Sequence, residues 1–549
     1  MRSAVALLLI LAFVPSASAE TASGGMVVSV SPLATDVGAD VLADGGSAVD
    51  AAVAVGFAEA VTWPEAGNLG GGGFLLIHRP TGKPAFIDYR ELAPAAATKE
   101  MFAKGVDYQS IKTAGVPGTV RGFALAHKGY GKLPWKDLVL PAAKLAEEGF
   151  PVSAVLARRL NGVIADKKTT NAEFRRIFGT EGGWKAGDVL KQPDLGRTLR
   201  LIAEKGADAF YTGEVAEKII AEMKAGGGLI SRDDLKAYQP ESRTPLRGTY
   251  RDYEVLSAPP PSSGGTALIT ALNILELYDL KKNPWMSAET AHLVAEAMRR
   301  AFADRALHLG DPAFSEVPES LVAKEHARKL AKSIDLATAT KSEALTPELE
   351  LAPGGQNTTH FSIVDRDGLA VSNTYTLENA FGCRVVVRGA GFILNNEMTD
   401  FNHAPGVTTR AGAIGTEPNL VAPGKRPLSS MTPTILLKDG KLALVTGSPG
   451  GRTIINTVLC VVLNYADYGG DVRAAVDAPR MHHQWFPDRI VLEDFPGRDK
   501  LDAKLKALGH ATATAVQGDA HSIAVDPKTG TLIGAADRRL EGKAKGVEK

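Results

Sequence analysis

The amino-acid sequence predicts an α/β or α+β protein of stacked layers. Three observations carry the prediction. Short runs of alternating or β-branched character recur along the chain, bounded by glycine, proline and aspartate. Runs with helical spacing separate them irregularly, and residues 116–242 read mainly as helix. The chain has 549 residues, enough for a large core shared by several layers.

Residues 25–30 form a short apolar strand candidate. Residues 34–44 have helical spacing and stop at Gly45-Gly46, where a helix C-terminus is expected. Ser47 is placed to cap a second helix over 48–61, apolar nearly all round and so expected to be buried. A glycine run, Gly67-Asn68-Leu69-Gly70-Gly71-Gly72-Gly73, leads into a strand over 74–78. It does not match a phosphate-binding P-loop and no helix opens after it, so these glycines are expected where backbones pack too closely for a Cβ. The next strand ends in Ile87-Asp88-Tyr89-Arg90-Glu91, a charged cluster whose plain reading is a solvated rim. Helices are predicted over 118–130, 135–148, 152–166, 195–205 and 213–225. Residues 259–265 make a rigid turn feeding a helix over 266–277, and Ser287 caps a longer helix reaching His308. Strands are predicted over 391–394, 434–437 and 442–446. Gly447-Ser448-Pro449-Gly450-Gly451 then leads directly into a helix over 452–463.

Lys plus Arg and Asp plus Glu number 62 each, so no basic excess points to nucleic acid and no acidic excess to a disordered chain. Residues 1–19 carry Arg2, an apolar stretch over 4–14 too short to span a bilayer, and the small-residue site Ala17-Ser18-Ala19. A signal peptide cut before Glu20 is expected, with a membrane-anchoring or buried helix as the alternative. No later apolar run reaches spanning length, so the expected mature protein is periplasmic or secreted, without a membrane span. Two cysteines, Cys383 and Cys460, do not make a disulfide framework in an exported protein of this size. His482 and His483 are adjacent and would face opposite ways on a strand, and no His, Cys or Asp spacing suggests a metal site. Neither metal nor cofactor is expected.

The stretch Asn357-Thr358-Thr359-His360-Phe361-Ser362 emerges from a segment rich in small and polar residues and opens a strand over 358–364. Arg366-Asp367-Gly368 reads as a three-residue hairpin loop with glycine in the left-handed position. That register sets 365 opposite 369 and Thr358 opposite Thr376. One face then carries His360, Ser362, Ser372 and Thr374, the other Phe361, Ile363, Leu369, Val371 and Tyr375.

Nine runs spread along the chain carry a resemblance. They are residues 45–52, the glycine run, 88–94, 115–122, 259–265, 358–365, Asn395-Asn396-Glu397-Met398-Thr399-Asp400-Phe401, 426–433 and 448–451. In this order they resemble the γ-glutamyltranspeptidase (glutathione hydrolase) family, of the N-terminal-nucleophile hydrolase superfamily. The resemblance implies a four-layer αββα sandwich and a proenzyme that cuts itself between Asn357 and Thr358. It implies a large subunit, 20–357, and a small catalytic one, 358–549, co-folded as one unit. Thr358 would be the nucleophile, with Thr376 orienting it. The α-amine freed by cleavage would be the base, its reference pKa near 8.

In the family the pair matching Gly450 and Gly451 forms the oxyanion hole. By the same match, Arg90 with Ser429 and Ser430 would take the α-carboxylate of a γ-glutamyl group, and Glu397, Asp400 and Glu378 its α-ammonium. Donors would be glutathione and other γ-glutamyl compounds; acceptors would be water, amino acids or peptides. The chain departs from the family at Ala411, near where some relatives carry a lid tyrosine within the segment matching 401–425. Cys383 replaces a small residue usual there. Two rival readings stay open: an acylase removing glutaryl-type side chains from cephalosporins, and an inactive exported binding protein of the same fold.

Overall fold

Two seven-stranded antiparallel sheets face each other in the computed structural model, which describes residues 19–169, 171–345 and 358–549, with the backbone of 352–353. Their strands are Glu20–Ala22 (β1), Gly25–Ser29 (β2), Gly72–His78 (β3), Ala85–Asp88 (β4), Glu241–Arg243 (β5), Leu246–Tyr250 (β6) and Tyr253–Ser257 (β7). After these come Thr359–Val364 (β8), Ala370–Thr376 (β9), Thr434–Lys438 (β10), Lys441–Thr446 (β11), Ser522–Val525 (β12), Leu532–Ala535 (β13) and Lys543–Val547 (β14). One sheet has the order β14-β2-β8-β9-β3-β4-β5; the other has β1-β13-β12-β11-β10-β7-β6.

Pro32–Ala43 (α1), Ala48–Thr62 (α2), Thr119–Tyr130 (α3) and Trp135–Glu148 (α4) cover the outer face of the first sheet. Gly264–Leu275 (α5), Ala288–His308 (α6) and Thr453–Asp467 (α7) cover that of the second. The strand period of two decides which side chain meets which layer. Val27 of β2 packs toward α1 and α2, while Met26 and Val28 pack toward the second sheet. The result is the expected αββα sandwich.

The expected cap on α2 forms. Ser47 and Asp50 make a capping box, with Ser47 N donating to Asp50 Oδ2 at 2.8 Å. All fifteen residues of α2 are buried. A cap contributes about 1 kcal/mol, whereas each fully buried Val or Phe contributes about 1.5–3 kcal/mol. Val49, Val53, Val55, Phe57 and Val61 therefore dominate in holding α2 in place. The glycine run is closely packed, as expected. A Cβ on Gly71 would stand 2.0 Å from the Thr376 carbonyl oxygen, and one on Gly73 2.4 Å from Tyr375 Cβ.

The hairpin register holds. Thr359 pairs with Tyr375 and Val364 with Ala370, and β8 lies in mid-sheet between β2 and β9. Its polar face is the seam between the two sheets. Ser362 Oγ donates to the His521 carbonyl at 2.8 Å, Ser372 Oγ donates to the Thr446 carbonyl at 2.9 Å, and His360 Nδ1 lies 2.8 Å from Thr374 Oγ1. Burial drives the His360 pKa well below the usual histidine value, so its ring is neutral.

Several expectations change. Residues 391–394 form isolated bridges, Gly70 with Leu394 and Val386 with Ile393, and no regular strand. The charged cluster after β4 is no solvated rim, because Asp88, Arg90 and Glu91 are fully buried. Cys383 and Cys460 are both free and buried, so no bridge joins them. Residues 1–18 of the predicted signal peptide, and Asn357, lie outside the described residues. Among the described residues no helix is long and apolar enough to cross a membrane. Within the 401–425 segment, Gly412–Ala413 pairs antiparallel with Ala352–Pro353.

Candidate active site

Thr358 stands one residue before β8, half-buried, where the register carries it opposite the end of β9. Thr376 Oγ1 donates to Thr358 Oγ1 at 3.5 Å and itself accepts from the Glu378 N–H at 2.8 Å. The Thr376 carbonyl accepts from Asn68 Nδ2 at 2.9 Å, so the glycine run and the end of β9 are tied together. The two hydroxyls thus face each other on a fixed backbone.

Gly450 and Gly451 lie where β11 gives way to α7. Their φ angles are +128° and +58°, conformations open to glycine and strained for other residues. The Gly450 carbonyl accepts from Thr453 N–H and the Gly451 carbonyl from Ile454 N–H. The N–H groups of both glycines donate to no backbone acceptor among the described residues. No side chain caps α7. This is the arrangement of a helix N-terminus with amides left for an anion.

Arg90 sits at the centre of the third group of residues, and its surroundings differ from the expectation. Its fork is already occupied: Nη1 pairs with Glu397, and Nη2 pairs with Asp400 at 2.5 Å. Nη1 also stands 3.7 Å from Glu91, while Nε donates to the Pro427 carbonyl at 3.1 Å. Burial works against the charge, yet Glu397, Asp400 and Glu91 raise the arginine pKa above its ordinary value.

The carboxylates outnumber this cation. Burial pushes Glu397 and Glu378 well above the usual range, helped by repulsion from Asp400, and pushes Glu91 to about 7. Glu378, Glu397 and Asp400 each offer an oxygen within 4.8 Å of the others. Asn395 fixes the turn bearing Glu397: its Oδ1 accepts from Gly115 and Glu397 N–H, and its Nδ2 donates to the Gly70 and Gly115 carbonyls. Ser429 Oγ accepts from the Met431 N–H at 3.0 Å, and Ser430 Oγ accepts from Arg305 Nη2 at 3.2 Å.

A small cavity, about 10 Å³, brings these groups together. Thr358, Thr376, Arg90, Glu378, Glu397, Asp400, Ser429, Ser430 and Gly451 all line it. A second cavity, about 250 Å³, adjoins it through the shared Glu378 and Asp400 and is lined by Gly450. Every described residue expected at the site therefore borders one of two joined spaces. A pair of threonine hydroxyls, the amides of two glycines, and a buried arginine among carboxylates lie within one region.

Three residues at or near the site were not anticipated. Arg452 follows the glycine pair directly, and Arg305 projects from α6; both line the larger cavity. Glu59, in the last turns of α2, accepts from Thr359 Oγ1 at 3.3 Å, and burial raises its pKa to about 8. An acid on an otherwise apolar helix was the available signal for Glu59. The structure also gathers His292, Glu296 and His510, a grouping that sequence spacing cannot reveal. Two guanidiniums already serve it, Arg299 at His510 and Arg300 at Glu296.

Known proteins resemble the chain in sequence and fold. The family model described as gamma-glutamyltranspeptidase matches residues 34–547. A glutathione hydrolase proenzyme of Escherichia coli (strain K12) is 48% identical over 529 residues, covering 94% of this chain and 91% of that protein. The crystal structure of a cephalosporin acylase from Bacillus halodurans superposes with a TM-score of 0.87 at 29% identity, over 99% of this chain and 100% of the other. A gamma-glutamyltranspeptidase from Pseudomonas nitroreducens, complexed with L-DON, gives 0.54 at 44% identity, over 57% of this chain and 95% of the other. The chain belongs to the γ-glutamyltranspeptidase family.

Proposed function

We propose that Thr358 is both the self-processing residue and the catalytic nucleophile of a γ-glutamyltransferase and glutathione hydrolase. In processing, Thr358 Oγ1 attacks the Asn357 carbonyl, the peptide C–N bond breaks, and the resulting ester is hydrolysed. The products are a large subunit, 20–357, and a small one, 358–549, whose first residue carries a free α-amine. Residues 1–19 direct export to the periplasm or the medium. The relative from Escherichia coli is itself named a proenzyme, which accords with this sequence of events.

In turnover the α-amine accepts the hydroxyl proton as Oγ1 attacks the γ-carbonyl of glutathione or another γ-glutamyl compound. The oxyanion forms against the Gly450 and Gly451 N–H groups. The proton passes to the leaving amine, and water, an amino acid or a peptide resolves the acyl-enzyme. Thr376 positions the nucleophile. The γ-glutamyl head exchanges into the Arg90 cluster. Its carboxylate takes the guanidinium fork beside Ser429 and Ser430, and its ammonium takes Glu397, Asp400 and Glu378. A zwitterion can replace an internal ion pair there with both signs still satisfied, which is favourable because a buried charge without a partner is costly.

The observation that carries this reading is the joint lining of one small cavity by Thr358, the arginine and the carboxylates. Those carboxylates also weigh against the acylase reading, since a glutaryl group has no ammonium for them to hold. Thr358→Ala is expected to remain a single chain without γ-glutamyl turnover. The wild type should run as two chains, the smaller beginning Thr-Thr-His-Phe-Ser on N-terminal sequencing. Cleavage of the variant would rule out Thr358. Faster turnover of a glutaryl than of a γ-glutamyl anilide would favour the acylase.

A further inference from the structure

We infer that a third cavity, separate from the two at Thr358, is a binding site for a free α-amino acid, with Glu222 meeting its ammonium and Arg384 and Lys168 its carboxylate. The cavity is about 240 Å³ and shares no lining residue with the other two. That volume lies below the roughly 300–1,000 Å³ of drug-sized ligand sites and suits a small molecule. One wall is the helix Glu214–Gly226, which carries Glu222; another is the run Cys383-Arg384-Val385.

Glu222 is the group that calls for a ligand. It is 8% exposed and lines the cavity, yet no hydrogen bond or ion pair reaches its carboxylate among the described residues. Other buried glutamates are served: Glu173 holds Arg176, Glu296 holds Arg300, and Glu493 holds Arg539. A buried carboxylate without a partner is costly, and a cation entering the cavity relieves that cost. Arg384 brings the opposite sign. Its Nη1 is held by Asp166 and Thr169 Oγ1, while its Nε and Nη2 have no acceptor among the described residues. Lys168 adds a second cation at the exposed rim.

Both signs in one small space fit a zwitterion. A simple cation would leave the free donors of Arg384 unmet, and a simple anion would leave Glu222 unmet. Charge-assisted hydrogen bonds to both ends of an amino acid strengthen in a partly desolvated site. The remaining walls include Ile111, Val385 and Cys383. Burial, helped by the nearby charge of Glu222, pushes the Cys383 thiol up to about 12, so it stays protonated and forms an uncharged wall. The chemical class is therefore a free α-amino acid with a small uncharged side chain.

The test is equilibrium dialysis of the purified protein against radiolabelled L-alanine, with no γ-glutamyl donor present. Any alanine held at the Arg90 cluster is common to wild type and variant, so it cancels between them. Glu222→Gln should weaken one class of site by at least about tenfold, the worth of one charged hydrogen bond. Lys168→Gln should weaken the same site several-fold. N-Acetyl-L-alanine and L-alanine methyl ester each lack one charge, and neither should displace label from it. Glu222→Gln removes a buried charge that has no partner, so its Tm should not fall below that of the wild type. Equal binding by wild type and Glu222→Gln, or no saturable binding by the wild type, overturns the site. A Tm several degrees lower in Glu222→Gln also overturns it, because Glu222 would then be held by the fold itself.

Discussion

Glu59 shows at the scale of one residue how burial turns chemistry into pH dependence. Its carboxyl titrates near 4.5 when free and near 8 in the folded protein, because burial opposes the charge. Between those values the folded state keeps a proton that the unfolded chain has released. Stability is therefore full below about pH 4.5 and falls by ~1.4 kcal/mol per pH unit until the folded group ionises near 8. Glu59→Gln removes this term. Its apparent Tm should decline less than that of the wild type across that window, as thermal unfolding at stepped pH would show. Equal slopes in the two proteins would assign the dependence elsewhere.

Residue chemistry was legible where it follows from period or order. The two-residue period of a strand puts Thr376 across from Thr358, and the observed pairing keeps that register. The partners of Arg90 were legible as a set but not as an arrangement. Glu397 and Asp400 are more than 300 positions away in sequence, and nothing local indicates that they close on the guanidinium.

Elements were legible where local capping and long periodicity agree. Ser47 announces the start of α2, and the helix begins there. Ser47→Ala should lower stability by about 1 kcal/mol, measured by chemical denaturation of the Thr358→Ala protein. Its processed counterpart should cleave and turn over normally, since α2 is held chiefly by its apolar faces. A loss above ~3 kcal/mol would instead mean that the Asp50 contacts to Lys132 and Leu133 N–H depend on the serine. Strands with few apolar residues escaped notice. β14, Lys-Ala-Lys-Gly-Val, is a half-buried edge strand, and its place comes from pairing with β2 rather than from its own pattern. Residues 391–394 look like a strand because Phe392, Ile393 and Leu394 are apolar, yet they fill the core beside the glycine run as single bridges.

At the scale of the whole molecule, layers were legible from the mixture of elements, but strand order was not, because pairing partners are set by contacts distant in sequence. That order has a consequence for the proposed cut at Asn357-Thr358. In the first sheet, strands from 20–357 and from 358–549 are interleaved: β2 lies between β14 and β8, and β9 pairs with β3. In the second, β1 borders β13 and β10 borders β7. Neither product holds a complete sheet. Folding is unimolecular before the cut, and afterwards the same sheets would have to be rebuilt by collision of two incomplete chains. Refolding of denatured Thr358→Ala should therefore be independent of protein concentration. Refolding of the processed enzyme should be second-order, slowing on dilution and losing yield to aggregation at high concentration, as regain of circular dichroism against concentration would report. Cleavage would then act as a one-way door: the mature enzyme would persist by the slowness of its unfolding, and the sequence could be read into this structure only once.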